Sequence, residues 1–99
     1  MPAIDKPDSQ LTAVKWRFPS VHPEGRKFTV IGHTDASGSA SYNKALSDRR
    51  AAAVRRYLMA NGVAGARLKA MGKGESQLLN NDDPDAAENR RVEIQATGG

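Results

Sequence analysis

The 99-residue sequence contains no cysteine. That absence removes disulfides, thiolate nucleophiles and cysteine zinc sites together, but it does not choose a compartment, because an exported domain can also do without them. Large rings are scarce as well: two Phe, two Tyr and one Trp leave the core to Val, Ile, Leu and Ala. No apolar run approaches the ~20 residues needed to cross a bilayer, so direct membrane insertion of this chain is not expected. The segment MPAIDKPDSQ lacks the basic-then-apolar pattern of a secretory signal. A chain this short supports one core, which excludes a multidomain enzyme. Charge of one sign is also modest. Fifteen Lys and Arg against eleven Asp and Glu give a formal +4, a mild field that favours anionic partners without selecting among nucleic acid, lipid and acidic polymer.

Four of the five prolines, at Pro2, Pro7, Pro19 and Pro23, fall within residues 1–26. This stretch reads as an irregular N-terminal segment around one short helix over about 10–18, where Ser9 is placed to cap, Leu11, Val14 and Phe18 recur at helical spacing, and Pro19 ends the run. The β-branched and aromatic run KFTVIG at 27–32 predicts a short buried strand closed by glycine. HTDASGSAS follows as an exposed loop leaving that strand's carboxyl end. From near Ser41 to just before Gly62 the chain is rich in Ala, Leu and Arg, with no internal Gly or Pro, which predicts a long helix. ARLKAMG then reads as a second strand, and a strand–helix–strand crossover makes the two strands parallel. KGESQLLNNDDPDAAEN is a loop turning at Asp83-Pro84, and RRVEIQA is a last strand with Val92 and Ile94 on one face. The expected core spans 27–96, with 97–99 as a tail.

On a helical wheel Leu46, Ala53 and Tyr57 form one stripe, with Val54 and Tyr42 at its margins. Arg50 falls inside that stripe. A buried guanidinium without a counter-charge costs several kcal/mol, so Arg50 calls for a carboxylate or for a place where the stripe opens into a cleft. The bland alternatives are that it snorkels from the stripe's edge or closes a structural ion pair. Asp35, in the loop before the helix, is the obvious partner. A carboxylate and a guanidinium facing one mouth suit a ligand carrying both an ammonium and a carboxylate, that is, a free amino-acid head group.

GHTDASGSASYNKALSDRRAAAVRRYL, followed by GVAGARLKAMGKGES and closing with ENRRVEI, resembles the OmpA-like peptidoglycan-binding domain, also found in peptidoglycan-associated lipoproteins and flagellar stator proteins. The resemblance runs from about Phe28 to Gln95 and rests on the order and spacing of Gly32-His33-Thr34-Asp35, Asn43, Leu46-Ser47, Arg50-Ala51, Gly72 with Gly74, and Asn89-Arg90-Arg91-Val92. It implies an α+β fold of β/α/β/α/β order, a sandwich whose mixed sheet is packed by helices. It implies that Asp35 and Arg50 hold the free amino-acid centre of diaminopimelate in the peptidoglycan stem peptide. Thr34, Asn43 and Leu46 would line the pocket, and Arg90 would stand nearby as a basic group. Other readings of these side chains stay open: Asn43 as a helix cap, Leu46 as core, and Arg90 or Arg91 paired with Asp82, Asp83, Asp85 and Glu88. The family's first strand has no convincing counterpart in MPAIDKPD, so that strand is expected to be missing or degenerate. The family also implies a non-catalytic anchor in the periplasm of a Gram-negative envelope, in a parent protein held at a membrane.

Nothing in the sequence calls for a cofactor or a metal. His33 and Asp35 make an H-x-D pair without a third ligand, and a satisfied structural histidine is the simpler reading of His33. Ser37, Ser39 and Ser41 lack a nucleophile-elbow pattern, and Gly72 and Gly74 read as turn glycines. No catalysis is expected. The rival reading from another class is a small basic nucleic-acid-binding domain using Arg49, Arg50, Arg55 and Arg56. These arginines spread around the helix and no aromatic stacking platform accompanies them. A structural remnant that binds no ligand is the remaining alternative.

Overall fold

The computed structural model describes residues 11–17 and 27–97. Four strands and one long helix form an α+β unit: β1 (Ala13–Arg17), β2 (Lys27–Gly32), α1 (Ala40–Ala60), β3 (Leu68–Gly72) and β4 (Arg91–Thr97), with short 3-10 turns at Gly65–Arg67 and Ala87–Asn89. The sheet order is β1-β4-β2-β3. β2 and β3 run parallel with Val30 opposite Ala70, as the crossover through α1 requires. β4 lies antiparallel to β2, with Val30 opposite Ile94. The sheet is therefore mixed.

The N-terminal expectation needs correction in its described part. Within 10–18 the structure has strand β1, not a helix, and it pairs parallel to β4 from Ala13 opposite Arg91 to Arg17 opposite Gln95. A first strand therefore exists, later in the chain than MPAIDKPD, which lies outside the described residues along with Phe18 and the prolines of that segment. The reason is physical. A helix of nine residues is marginal alone, whereas Thr12, Val14 and Trp16 favour extended chain, and a full ladder with β4 satisfies the backbone. Leu11 is buried and Val14 packs at the core's margin, so the apolar positions identified on a helix serve equally well before and within a strand.

α1 starts where expected because Ser39, in extended conformation, accepts the Tyr42 amide proton on its hydroxyl, which satisfies one of the first unpaired helix amides. Asn43 is not the cap. The buried face also differs from the wheel: Asn43, Ser47, Arg50, Ala51, Val54 and Leu58 are buried, while Tyr42 is 57% exposed. The rotation follows from two glycines in the sheet. A Cβ at Gly32 would overlap the Ser47 carbonyl oxygen, and one at Gly72 would overlap the Ser47 hydroxyl. Only bare backbone at these two places lets the first turns of α1 settle against β2 and β3 through a serine. Farther along, Ala51, Val54 and Leu58 join Phe28, Val30, Leu68, Val92 and Ile94 in the core.

Candidate functional site

The loop leaving β2 is held to its neighbours by backbone bonds: His33 N–H donates to Arg91 O (2.9 Å), Thr34 N–H to Gly74 O (3.0 Å) and Ala36 N–H to Pro84 O (2.9 Å). These contacts bring together three chain segments far apart in sequence. Between them and α1 opens a cleft of about 260 Å³. Thr34, Asp35, Asn43, Leu46, Arg50 and Arg90 all line it, with Ser37 and Tyr42 beside them. The six residues expected from the sequence therefore share one cleft.

Asp35 is 8% exposed. Its Oδ1 accepts from the Ser37 amide (3.0 Å) and the Ser37 hydroxyl (2.5 Å), and its Oδ2 accepts from Arg90 Nη1 (3.0 Å). Burial alone would raise this carboxyl's pKa, but the Ser37 hydroxyl, the Arg90 guanidinium and the Ser37 amide outweigh it and hold Asp35 below the ordinary carboxylate value. Asp35 is an anion at neutral pH. Arg50 is 2% exposed, so it does not snorkel. Its Nη1 donates to the His33 carbonyl at 3.0 Å, which fixes the guanidinium at the cleft's inner wall.

Asn43 works as a brace. Its Nδ2 donates to Ser37 O and to Glu75 Oε1, each at 2.9 Å, tying α1 to the loop that carries Asp35 and to the loop after β3. Ser47 adds a second tie, donating to Lys44 O and accepting the Gly74 amide proton, each at 2.8 Å. Thr34 is buried and donates its hydroxyl to the Asp35 carbonyl (2.8 Å). Leu46 is half-buried and offers the cleft an apolar patch. Ser37 and Glu75 were not identified from the sequence. For Ser37 there was a local signal, a serine two residues after an aspartate, the spacing of an Asx turn. For Glu75 there was none, since its partner lies 32 residues away.

Behind the cleft sits a second polar cluster. Arg90 bonds Asp35, and Arg91 Nε donates to Glu93 Oε2 at 2.7 Å. Burial raises the Glu93 carboxyl's pKa, but the bond and charge of Arg91, with smaller contributions from Gln95 and His33, together outweigh it and leave the group below its usual value. His33 is 1% exposed, with Nε2 3.9 Å from Glu93 Oε2. Among the described residues neither ring nitrogen has a hydrogen-bond partner, so this histidine is structural but not satisfied. Burial and the Arg91 charge lower its pKa to about 4, Glu93 opposing and Lys73 adding to the effect. It is neutral at pH 7. No group of three potential metal ligands occurs among the described residues.

The arginines of the rival reading are dispersed by the fold. Arg50 points inward, and Arg55 donates to Leu68 O and Gly65 O, both at 3.1 Å. That leaves Arg49 and Arg56 as the exposed pair of the four.

Comparison with known proteins agrees with this architecture. Residues 9–91 match the model of the OmpA family. The chain is 43% identical to the peptidoglycan-associated lipoprotein of Pseudomonas putida over 71% of its own length and 43% of the relative's. It is 33% identical to outer membrane protein A of Klebsiella pneumoniae over 94% of its length and 31% of the relative's. It thus spans less than half of either relative. Among solved structures it resembles the peptidoglycan-associated lipoprotein of Burkholderia pseudomallei, with a TM-score of 0.66 and 36% identity, over 73% of this chain and 63% of that one. The OmpA-like domain of FopA1 from Francisella tularensis shares the fold at a TM-score of 0.63.

Proposed function

The chain belongs to the OmpA family, and from that premise we propose that it is a non-catalytic module that binds the diaminopimelate of the peptidoglycan stem peptide and anchors an envelope protein to the cell wall from the periplasm. The observation that carries the reading is the pairing of a buried carboxylate, Asp35, with a buried guanidinium, Arg50, on the walls of one cleft. A ligand's ammonium is stabilised at the first and its carboxylate at the second, each desolvated against its complement. The braces from Asn43 and Ser47 hold both groups before binding, which lowers the ordering cost of association. The cleft's wall also carries Leu46, suited to the methylene chain between the two amino-acid centres of diaminopimelate. Relatives whose names include "peptidoglycan-associated" support the peptidoglycan part of this reading.

The test is co-sedimentation with purified diaminopimelate-type sacculi. The parent protein pellets with the sacculi, free stem tripeptide releases it, and Asp35→Ala stays in the supernatant. A folded Asp35→Ala protein that pellets as fully as the parent would contradict the reading. Binding should weaken only modestly between low and moderate salt, because a compact zwitterion clamp releases few counterions, whereas several phosphate contacts to duplex DNA would give a steep slope.

A further inference from the structure

Among the described residues β3 is an edge strand, since the order β1-β4-β2-β3 gives it β2 as its one partner. An edge presents a row of backbone donors and acceptors with which another strand can pair. On β3 most of that row is already taken. Gly72 N–H donates to Asp48 Oδ1 at 2.8 Å, and Leu68 O accepts from Arg55 Nε at 3.1 Å. Leu68 N–H turns back onto Gly65 O, an oxygen that Arg55 Nη2 also holds at 3.1 Å. Lys44 Nζ bonds both oxygens of Asp48, at 2.8 and 2.9 Å, and holds the carboxylate over the strand.

Side chains of α1 thus cover both ends of the edge. Backbone groups alternate in direction along a strand, so Ala70, two residues from either end, turns its N–H and C=O outward as well. The helix residue between Asp48 and Arg55 on this side is Ala52, whose methyl group has no polar atom to offer. Ala52, Arg55, Arg56, Leu68 and Ala70 line an open groove there. The two covered groups also match each other. In an antiparallel pairing of two β3 strands about a two-fold axis at Ala70, Ala70 meets its own copy and Gly72 meets Leu68 of the second chain. The donor held by Asp48 and the acceptor held by Arg55 would then be partners. β3 is self-complementary, and α1 covers the groups on which that complementarity depends.

We propose that Asp48 and Arg55 close the β3 edge against a second copy of this chain, and that removing both side chains lets two copies join their sheets through β3. Neither residue lines the cleft, so the proposal stands apart from the stem-peptide reading.

The experiment compares the parent with Asp48→Ala/Arg55→Ala, which removes one charge of each sign and leaves the net charge unchanged. Arg49→Ala/Asp85→Ala, at two exposed positions outside the groove, is the matched control. Sedimentation velocity reads association up to about 1 mM protein, and amide exchange at low and high concentration reads where it occurs. In the parent and the control the Gly72 amide is protected and the Ala70 amide exchanges fast at both concentrations. The double variant associates about tenfold or more tightly than the parent. Its Gly72 amide exchanges fast at low concentration, and both amides become protected at high concentration. Should the double variant lose its thermal transition, an equimolar mixture of Asp48→Ala and Arg55→Ala takes its place. One chain then frees Gly72 N–H, the other frees Leu68 O, and the mixture associates more tightly than either variant alone. The proposal is overturned if the folded double variant associates no more tightly than the parent, or the mixture no more tightly than its components. It is equally overturned if the control associates as tightly as the double variant, or if association leaves the Ala70 amide unprotected.

Discussion

Helix α1 buries two different kinds of surface along one face. Its first half presents Asn43, Ser47 and Arg50 to the sheet, opposite Gly32 and Gly72. Its second half presents Ala51, Val54 and Leu58, opposite Phe28, Val30 and Leu68. The apolar half contributes stability in the ordinary way, by removing hydrocarbon from water. The polar half gains little from burial and must satisfy each group it hides, which it does through His33 O, Ser37 O, Glu75 and the Gly74 amide. One helix thus separates the apolar core from the candidate site along its length, and substitutions in the two halves should fail in different ways.

The largest effect is expected in the apolar half. Val54 is fully buried, and Val54→Asp places a carboxylate there without a partner, costing about 4 kcal/mol or more and unfolding the domain near room temperature. Denaturant unfolding and circular dichroism check it. A well-folded Val54→Asp protein would break the comparison at its start.

The next effect lies beneath the polar half and is read by pH. His33 has a folded-state pKa of about 4 against an ordinary 6.5. Above pH 6.5 it is neutral in both folded and unfolded chains. As pH falls below that, the unfolded chain takes up a proton that the folded chain refuses until about pH 4, so stability is lost across this window, by up to about 3 kcal/mol. His33→Gln should flatten the loss between pH 6.5 and 4.5. Asp35 and Glu93, both held below their ordinary values, contribute stability that is present above the unfolded carboxylate range and is lost as pH falls from that range through their lowered folded-state values. Urea titrations at successive pH values separate the two windows.

Gly32→Ala sharpens the boundary between the halves. The added methyl overlaps the Ser47 carbonyl oxygen, so the helix must back away at a cost of about 1–3 kcal/mol. Because Asn43 and Arg50 move with it, ligand affinity should fall as well. Val54→Ala should cost comparable stability and leave the affinity of the remaining folded protein near parental. Equal loss of affinity in the two variants would mean that the halves are not separate.

The smallest effect is expected on the outside of the polar half. Lys44 and Asp48 form an exposed pair at 2.8 Å, and Lys44→Ala should change stability by less than about 0.5 kcal/mol and leave binding unchanged. A thermal melt and one titration are enough to check both.

What could be read from the sequence follows the same division. The long helix, β2, β3 and β4 were legible because their composition and their closing glycines are local signals. The site was legible from a single anomaly, an arginine where the wheel expected a leucine, together with the resemblance that paired it with Asp35. The stripe itself was misplaced, because the wheel assumes that apolar side chains face the sheet, and close approach over Gly32 and Gly72 brings serine and asparagine there instead. β1 was misread because Leu11 and Val14 satisfy a helical period, and the partner that decides the matter, β4, lies 78 residues away at the Thr12–Arg90 contact. Distance in sequence also hid the Asp35–Arg90 bond, which joins residues 55 apart.

The central claim is that Asp35 and Arg50, which line one cleft, act on one ligand. Isothermal titration of the diaminopimelate stem tripeptide, alongside its lysine-containing analogue, into the parent, Asp35→Ala, Arg50→Ala and the double variant tests it most directly. The account predicts that the parent prefers the diaminopimelate form, that each single substitution weakens binding by about 2–5 kcal/mol, and that the double variant loses less than the sum. Near-parental affinity in both folded single variants would contradict it.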